Sequence, residues 1–351
     1  MPRAIRDKKH LILGLALAVL SGCGAARPDL DVAPAVPSAQ VQPIYVATGY
    51  KLLDSGQNFG RVRSGVLNYA RVDVSVPPTH VPGNIEWPRG VPDAATDFVV
   101  TEAAPYDGLG AFARDIRADA AGEETFFFVH GYNNTLPEAM YRLAQIQTDF
   151  ENDMPGVLFS WPSAGDPRGY VYDRDSVLFA RDDMERTLEA LTTQRGDKVF
   201  IVAHSMGAHL TMEVLRQAAL QGNQRLLSRI SGVILMSPDI DPDIFRRQAE
   251  AIGRLPQPFL IFVTQEDRAL NLLGWLTGRK QRLGVINSPD SVAGLEVSVV
   301  DFTGLGDGEG LNHFVPVTSP EALQALRGLT ARSGRTGGPR YSNFLVLKPP
   351  A

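Results

Sequence analysis

The sequence holds one cysteine, Cys23, in 351 residues, so no intrachain disulfide can form and stability has to come from a packed core. Histidine is also scarce. The six are His10, His80, His130, His204, His209 and His313, which leaves few candidates for any general base. No basic block stands out, so the charge pattern offers nothing for nucleic acid to bind. No internal repeat of the kind that builds solenoids is visible. No cluster of residues has metal-ligand spacing, and nothing in the pattern calls for a cofactor. The longest apolar run, Leu11–Leu20, is ten residues, too short to cross a bilayer.

That run follows Arg3, Arg6, Lys8 and Lys9 and ends in Leu20-Ser21-Gly22-Cys23. A basic start, a short apolar stretch and small residues before a lone cysteine make a secretory signal over residues 1–22. The four residues resemble a bacterial lipobox, which implies a lipid on Cys23 and a membrane anchor. Gly24 follows where aspartate would favour inner-membrane retention, so the expected place is the outer membrane, facing the periplasm. Removing residues 1–22 leaves 30 Lys+Arg against 38 Asp+Glu, a net charge of −8. Residues 23–43 are rich in Pro and Ala and read as a tether.

At 44% hydrophobic, the remainder can bury a large core. Ile44–Thr48, Val66–Val76 and Phe98–Thr101 have β-branched or alternating patterns. From Thr125 the pattern changes to continuous apolar runs separated by helical segments. The runs are Thr125–Val129, Gly156–Ser160, Lys198–Ala203, Gly232–Met236, Phe259–Thr264 and Leu295–Phe302. The helices fall at Leu136–Phe150, Arg174–Thr192, Ser205–Gln221, Asp243–Gly253 and Pro320–Arg332. Uninterrupted apolar strands between helices predict an α/β domain over 44–332, with a mostly parallel central sheet and helices on both faces. No structure is assigned to the tail, 333–351.

Ser205 stands at the joint between a buried strand and a helix, in Ala203-His204-Ser205-Met206-Gly207. This is the setting of a nucleophile elbow, whose pattern is Gly-x-Ser-x-Gly. Alanine replaces the first glycine but is still small. Serine is also a common helix N-cap; its position at the carboxyl end of a central strand is what favours a nucleophile. Hydrolases with such an elbow run in the order serine, acid, histidine. Only His209 and His313 follow Ser205. His209 lies one turn along the same helix and leaves little room for an acid, so His313, after the last strand, is the candidate base. For the acid, Asp267 follows the strand before the one that leads to His313. Asp239 is the alternative; with Asp241 it also fits turn and helix capping. The backbone N–H groups of Tyr132 and Met206 are candidates for an oxyanion hole, with Gly131 letting the chain approach and His130 and Asn133 shaping the turn. Together these parts describe cleavage of a carboxylic ester through an acyl-enzyme.

FFFVHGYNNT, VLFSWPS, VFIVAHSMGAHL, ILMSPDID and FVTQEDRAL, with VDVSVPPTHVPGNIEWP upstream, resemble the bacterial α/β-hydrolase proteins of the "esterase/lipase superfamily" group, a domain of unknown function. The resemblance spans about residues 44–318. It implies the α/β-hydrolase fold and a Ser-Asp-His site on Ser205, Asp267 and His313, without specifying a substrate. A small-molecule or lipid ester is the expected substrate. A lipase or phospholipase is the second enzyme reading, although the insert Ser163–Asp175 is short and polar where a lid would be apolar. Leu270–Leu283 reads as a core-packed helix, with a lipid-touching border as the alternative. The third reading is a non-catalytic envelope binding protein on a hydrolase fold.

Overall fold

The structure is a computed structural model that describes residues 32–52, 59–276, 278, 281–306, 310–333 and 344–347. The expected signal, Cys23 and residues 24–31 of the tether lie outside these residues. Ten strands form one sheet among the described residues, in the order β10-β9-β8-β7-β6-β4-β5-β1-β2-β3. The strands are β1 Gln40–Leu52, β2 Phe59–Val76, β3 Val99–Pro105, β4 Glu124–Val129, β5 Gly156–Ser160, β6 Lys198–His204, β7 Ile230–Met236, β8 Phe259–Val263, β9 Ser298–Asp301 and β10 Phe344–Val346. From β1 through β5, β4, β6, β7, β8 and β9 to β10 every neighbouring pair is parallel, while β1–β2 and β2–β3 are antiparallel. This is the mostly parallel sheet expected from the apolar runs.

The runs are apolar throughout because both sheet faces are covered. Successive side chains on a strand point to opposite faces. On one face Phe127, Phe159, Ile201, Val233 and Ile261 share a core with α1 Leu109–Ala120, α3 Tyr170–Leu191, α4 Met206–Leu220 and α6 Pro242–Ile252. On the other, Phe126, Phe128, Leu158, Val202 and Phe262 pack with α2 Leu136–Asp149. The short α5 Gln224–Leu227 follows α4; α7 Arg268–Leu276, α8 Val315–Thr318 and α9 Pro320–Ser333 complete the helices. On α3, Val177, Met184, Leu188 and Leu191 are buried, as their spacing predicts.

Four differences from the sequence expectations have local causes. The tether ends before 43, because β1 begins at Gln40 and pairs with β2 from Gln40↔Val76 onward; main-chain pairing needs no apolar side chains. Val32 also bridges Val100. Helix α1 is additional: Phe112, Ala113, Ile116 and Ala120 form its buried stripe between charged residues. Leu270–Leu283 is not one helix. α7 ends at Leu276, and Leu283 enters a separate buried 3-10 turn, Leu283–Val285. The tail contributes β10, laid parallel on β9 with Leu347 N–H donating to the Asp301 carbonyl.

Candidate active site

Ser205 follows β6 and precedes α4 with φ 52° and ψ −118°, a left-handed conformation that a side chain rarely adopts. Such strain costs about 1–3 kcal/mol and persists only where surroundings impose it. Here they do: Ser205 N–H donates to the Met236 carbonyl (2.9 Å), and its own carbonyl accepts from Ala208 and Asp239 N–H (both 3.1 Å). The helix behind the serine packs tightly. A Cβ on Gly207 would lie 2.4 Å from the His130 carbonyl oxygen, so this position admits only glycine. Ser205 is also at the positive end of α4, where developing negative charge is favoured.

The turn after β4 leans on the elbow. A Cβ on Gly131 would sit 2.5 Å from His204 Nδ1 and 2.8 Å from Ser205 Cβ. His130 is fully buried and stacks on Trp161, with ring centroids 4.9 Å apart and planes at 11°. Trp161 Nε1–H donates to the His130 carbonyl (2.8 Å). Burial pushes the His130 imidazole down to about 4, so it is neutral at pH 7 and donates to only one of its two neighbouring carbonyls, Gly131 or Trp161. Asn133 has φ 58° and its N–H donates to Asp173 Oδ2 (3.1 Å). The same carboxylate takes the Ser163 hydroxyl (2.6 Å) and Ala164 N–H (2.6 Å). Burial raises Asp173, while these donors pull it back. Glu138 accepts from both the N–H and the hydroxyl of Thr135, a capping box that starts α2 directly after this turn.

His313 sits on a loop where Leu311 (φ 62°) and Asn312 (φ 58°) are consecutively left-handed. Its Nδ1 lies 2.6 Å from Asp267 Oδ2. Asp267 is fully buried, and its other oxygen accepts Leu270 N–H (2.9 Å), capping α7. The His313 ring is 4.6 Å from that of His204, the residue before Ser205. The structure brings Asp267 to His313, across 46 residues of chain, and takes Asp239 elsewhere. Asp239 accepts from the Tyr170 hydroxyl (2.9 Å) and lies 3.2 Å from Arg282 Nε as an ion pair rather than an aligned hydrogen bond. Asp241 caps α6. His209 stands near Glu213, Arg174, Asp239 and Arg282, and burial lowers it below the ordinary histidine value. The Tyr132 and Tyr170 rings meet edge to face at 5.4 Å. His204, Trp161, Tyr170, Asp173 and Arg282 carry contacts that no short motif announced. Trp161, in VLFSWPS beside a strand end, and His204, in VFIVAHSMGAHL, had a local signal. Among the described residues no His, Cys, Asp and Glu cluster is arranged to hold a metal ion.

The family model described as "Alpha/beta hydrolase of unknown function (DUF900)" matches residues 110–330. Over 91 residues the chain is 30% identical to an uncharacterized protein of Nostoc sp., a match that covers 26% of this chain and 24% of that protein, about a quarter of its length. Among solved structures, esterase B from Lactobacillus rhamnosis, inhibited by a tributyrin phosphonate, aligns with 95% of this chain and 97% of its own at 14% identity and a TM-score of 0.40. Dienelactone hydrolase from Anabaena variabilis aligns with 83% of this chain and 96% of its own at 13% identity and a TM-score of 0.38.

Proposed function

The chain belongs to this alpha/beta hydrolase family, and we propose that it is a serine hydrolase that cleaves carboxylic esters through an acyl-enzyme on Ser205. The observation that carries the reading is the Asp267–His313 contact, 2.6 Å, with the His313 ring against that of His204, the residue before a strained serine at a strand-to-helix joint. In this mechanism His313 takes the Ser205 hydroxyl proton on Nε2 while Oγ attacks the ester carbonyl carbon. The oxyanion of the tetrahedral intermediate is held by the backbone N–H groups of Met206 and Tyr132. Collapse breaks the bond to the alcohol, which leaves with the proton from His313. Water then gives His313 a proton as its oxygen attacks the acyl-enzyme, and His313 passes that proton to Ser205 Oγ as the bond to the acyl group breaks, releasing the carboxylic acid and restoring both residues. Asp267 accepts from Nδ1–H throughout and stabilises the imidazolium.

The test is labelling of the purified protein with a fluorescent fluorophosphonate, beside Ser205→Ala and His313→Ala, together with hydrolysis of short acyl esters. Labelling and hydrolysis lost in both variants support the reading. A folded wild-type protein that neither labels nor hydrolyses overturns it and leaves an envelope binding protein. A lipase reading draws on Leu272 and Leu311, exposed apolar residues on α7 and the His313 loop; higher activity on micellar than on monomeric esters is its signature. We further propose that residues 1–22 are a signal and that Cys23 is lipidated, anchoring the protein to the envelope. Under this reading Cys23→Ser moves the protein from the membrane to the soluble fraction; an unchanged distribution would refute it.

A further inference from the structure

His204 is the last residue of β6, and the two-residue period of the strand turns it to the face covered by α2 and the His313 loop, away from Ala203. It is buried completely. Its Nε2 lies 3.3 Å from the main-chain carbonyl of His313, an acceptor only, so Nε2 carries the hydrogen and donates it. Its ring stacks on Phe314, with centroids 3.9 Å apart and planes at 25°. The Arg142 guanidinium lies over that same Phe314 ring at 4.9 Å. Nδ1 has no hydrogen-bond partner among the described residues and faces Gly131 with no room for a Cβ between them.

A leucine or phenylalanine would fill this space without burying an unpaired nitrogen, which is costly. An imidazole combines, in a side chain small enough for this space, a flat ring for Phe314 and one N–H donor for the His313 carbonyl. Burial first, then His313, Arg142 and His130 nearby, hold His204 well below the ordinary histidine value, against a smaller upward pull from its bond to the His313 carbonyl. The absence of charge matters because the neighbouring ring, 4.6 Å away, must itself become a cation in acyl transfer. A lysine or arginine donor in this place would oppose that.

We propose that His204 is a positioning residue for His313. Its Nε2–H grips the His313–Phe314 backbone at the His313 carbonyl and keeps the catalytic ring aligned between Asp267 and Ser205 through both proton transfers. The inference rests on the acyl-enzyme reading above. It ties the oxyanion turn, the elbow and the histidine loop together through one side chain, since Gly131, Ser205 and His313 all touch or adjoin it.

Two substitutions separate the donor from the ring. His204→Phe keeps a flat ring against Phe314 and removes the N–H. His204→Gln restores an N–H donor at a similar reach. Each purified variant is measured for kcat, KM and the pH dependence of kcat on a short nitrophenyl ester, with a thermal melt for folding. For His204→Phe the expected result is a kcat lower by on the order of 10–100-fold, as for a catalytic group misplaced by a fraction of an ångström, with KM changed by less than about twofold and a shifted acidic limb. His204→Gln recovers most of the lost kcat. A folded His204→Phe with unchanged kcat and pH profile overturns the proposal, as does a folded His204→Gln no better than His204→Phe. If His204→Phe does not fold, His204→Gln and His204→Leu decide: the proposal requires near-normal kcat in the first, which keeps a donor, and a lowered kcat at unchanged KM in the second, which has none. A wild-type protein inert to esters and fluorophosphonate removes the acyl-enzyme reading itself, an outcome distinct from active enzyme indifferent to position 204.

Discussion

Gly131→Ala tests how tightly the turn after β4 is set against the elbow. The added methyl would meet His204 Nδ1 at 2.5 Å, Ser205 Cβ at 2.8 Å and His204 Cε1 at 3.1 Å. Ordinary contacts between such atoms lie at about 3.5–4.0 Å, so roughly 1 Å of relief is needed. Neither neighbour can supply it. His204 is stacked on Phe314 and bonded to the His313 carbonyl, and Ser205 is held by its N–H bond to Met236. The turn itself must retreat, carrying Tyr132 N–H away from the serine. Overpacking of this kind costs about 1–3 kcal/mol. A typical domain stability of about 5–15 kcal/mol absorbs that, so the variant folds. Under the proposed mechanism Tyr132 N–H is an oxyanion donor, and loss of one such donor costs about 2.7–4 kcal/mol of transition-state stabilisation, a drop in kcat/KM of on the order of 10²–10³. Ester hydrolysis and urea unfolding on the same preparation measure both quantities. A folded Gly131→Ala with kcat/KM within about threefold of wild type would refute the reasoning, because the oxyanion turn would then not depend on this contact.

Asp267→Asn keeps an oxygen to cap α7 at Leu270 but removes the charge opposite His313. Its kcat should fall by on the order of 10³–10⁴ with little loss of stability, whereas Asp239→Asn should retain activity within about tenfold; the reverse order would exchange their roles. Asp173→Ala removes the common acceptor of Asn133 N–H, Ala164 N–H and the Ser163 hydroxyl, leaving one buried and two half-buried donors without it. A destabilisation of about 2–4 kcal/mol in urea is expected, and a change under about 0.5 kcal/mol would count against its bracing role. His80 lies between Glu86 (2.8 Å) and Asp149 (3.1 Å). Burial lowers its pKa, but the bonds and charges of Asp149 and Glu86 together outweigh burial and raise it above the usual 6.5. Its stabilising effect is therefore complete below the unfolded value of about 6.5 and fades as pH rises through the higher folded value. The stability gap between wild type and His80→Gln should narrow with rising pH across that window; a gap that widens would contradict the assignment. Ending the chain at Ser333 removes β10 from the edge of β9. The melting temperature should fall by about 2–4 °C for each kcal/mol lost, with ester turnover retained.

Much of this architecture is local in origin. Each central strand is a run of four to seven residues that is apolar in its own right, and each intervening helix carries its own buried stripe, so element type and order are readable along the chain. GVLFS is the fifth strand residue for residue. The polar elements were less legible. β1 begins in a Pro- and Gln-containing stretch because pairing with β2 is made by main chain, and α1 has only Leu109, Phe112 and Ile116 as large apolar residues among its alanines and charges. β10 is three residues long, and its only signal, NFLVLK, has meaning once β9 offers an edge.

The sequence by itself determined the alternation of strands and helices, the serine at a strand-to-helix joint, and His313 as the histidine that follows it with room for an acid between. The first two depend on composition and order within a dozen residues, and the third on the order of the few histidines along the whole chain. Only the tertiary structure decided which aspartate meets that histidine, since Asp239 and Asp267 both end strands and differ in where the loops beyond them cross. It also decided that His204 reaches the His313 carbonyl, 109 residues away, and that Asp173 braces Asn133 across 40 residues. Such contacts are set by how separate strands stack side by side in one sheet, and no spacing along the chain encodes that.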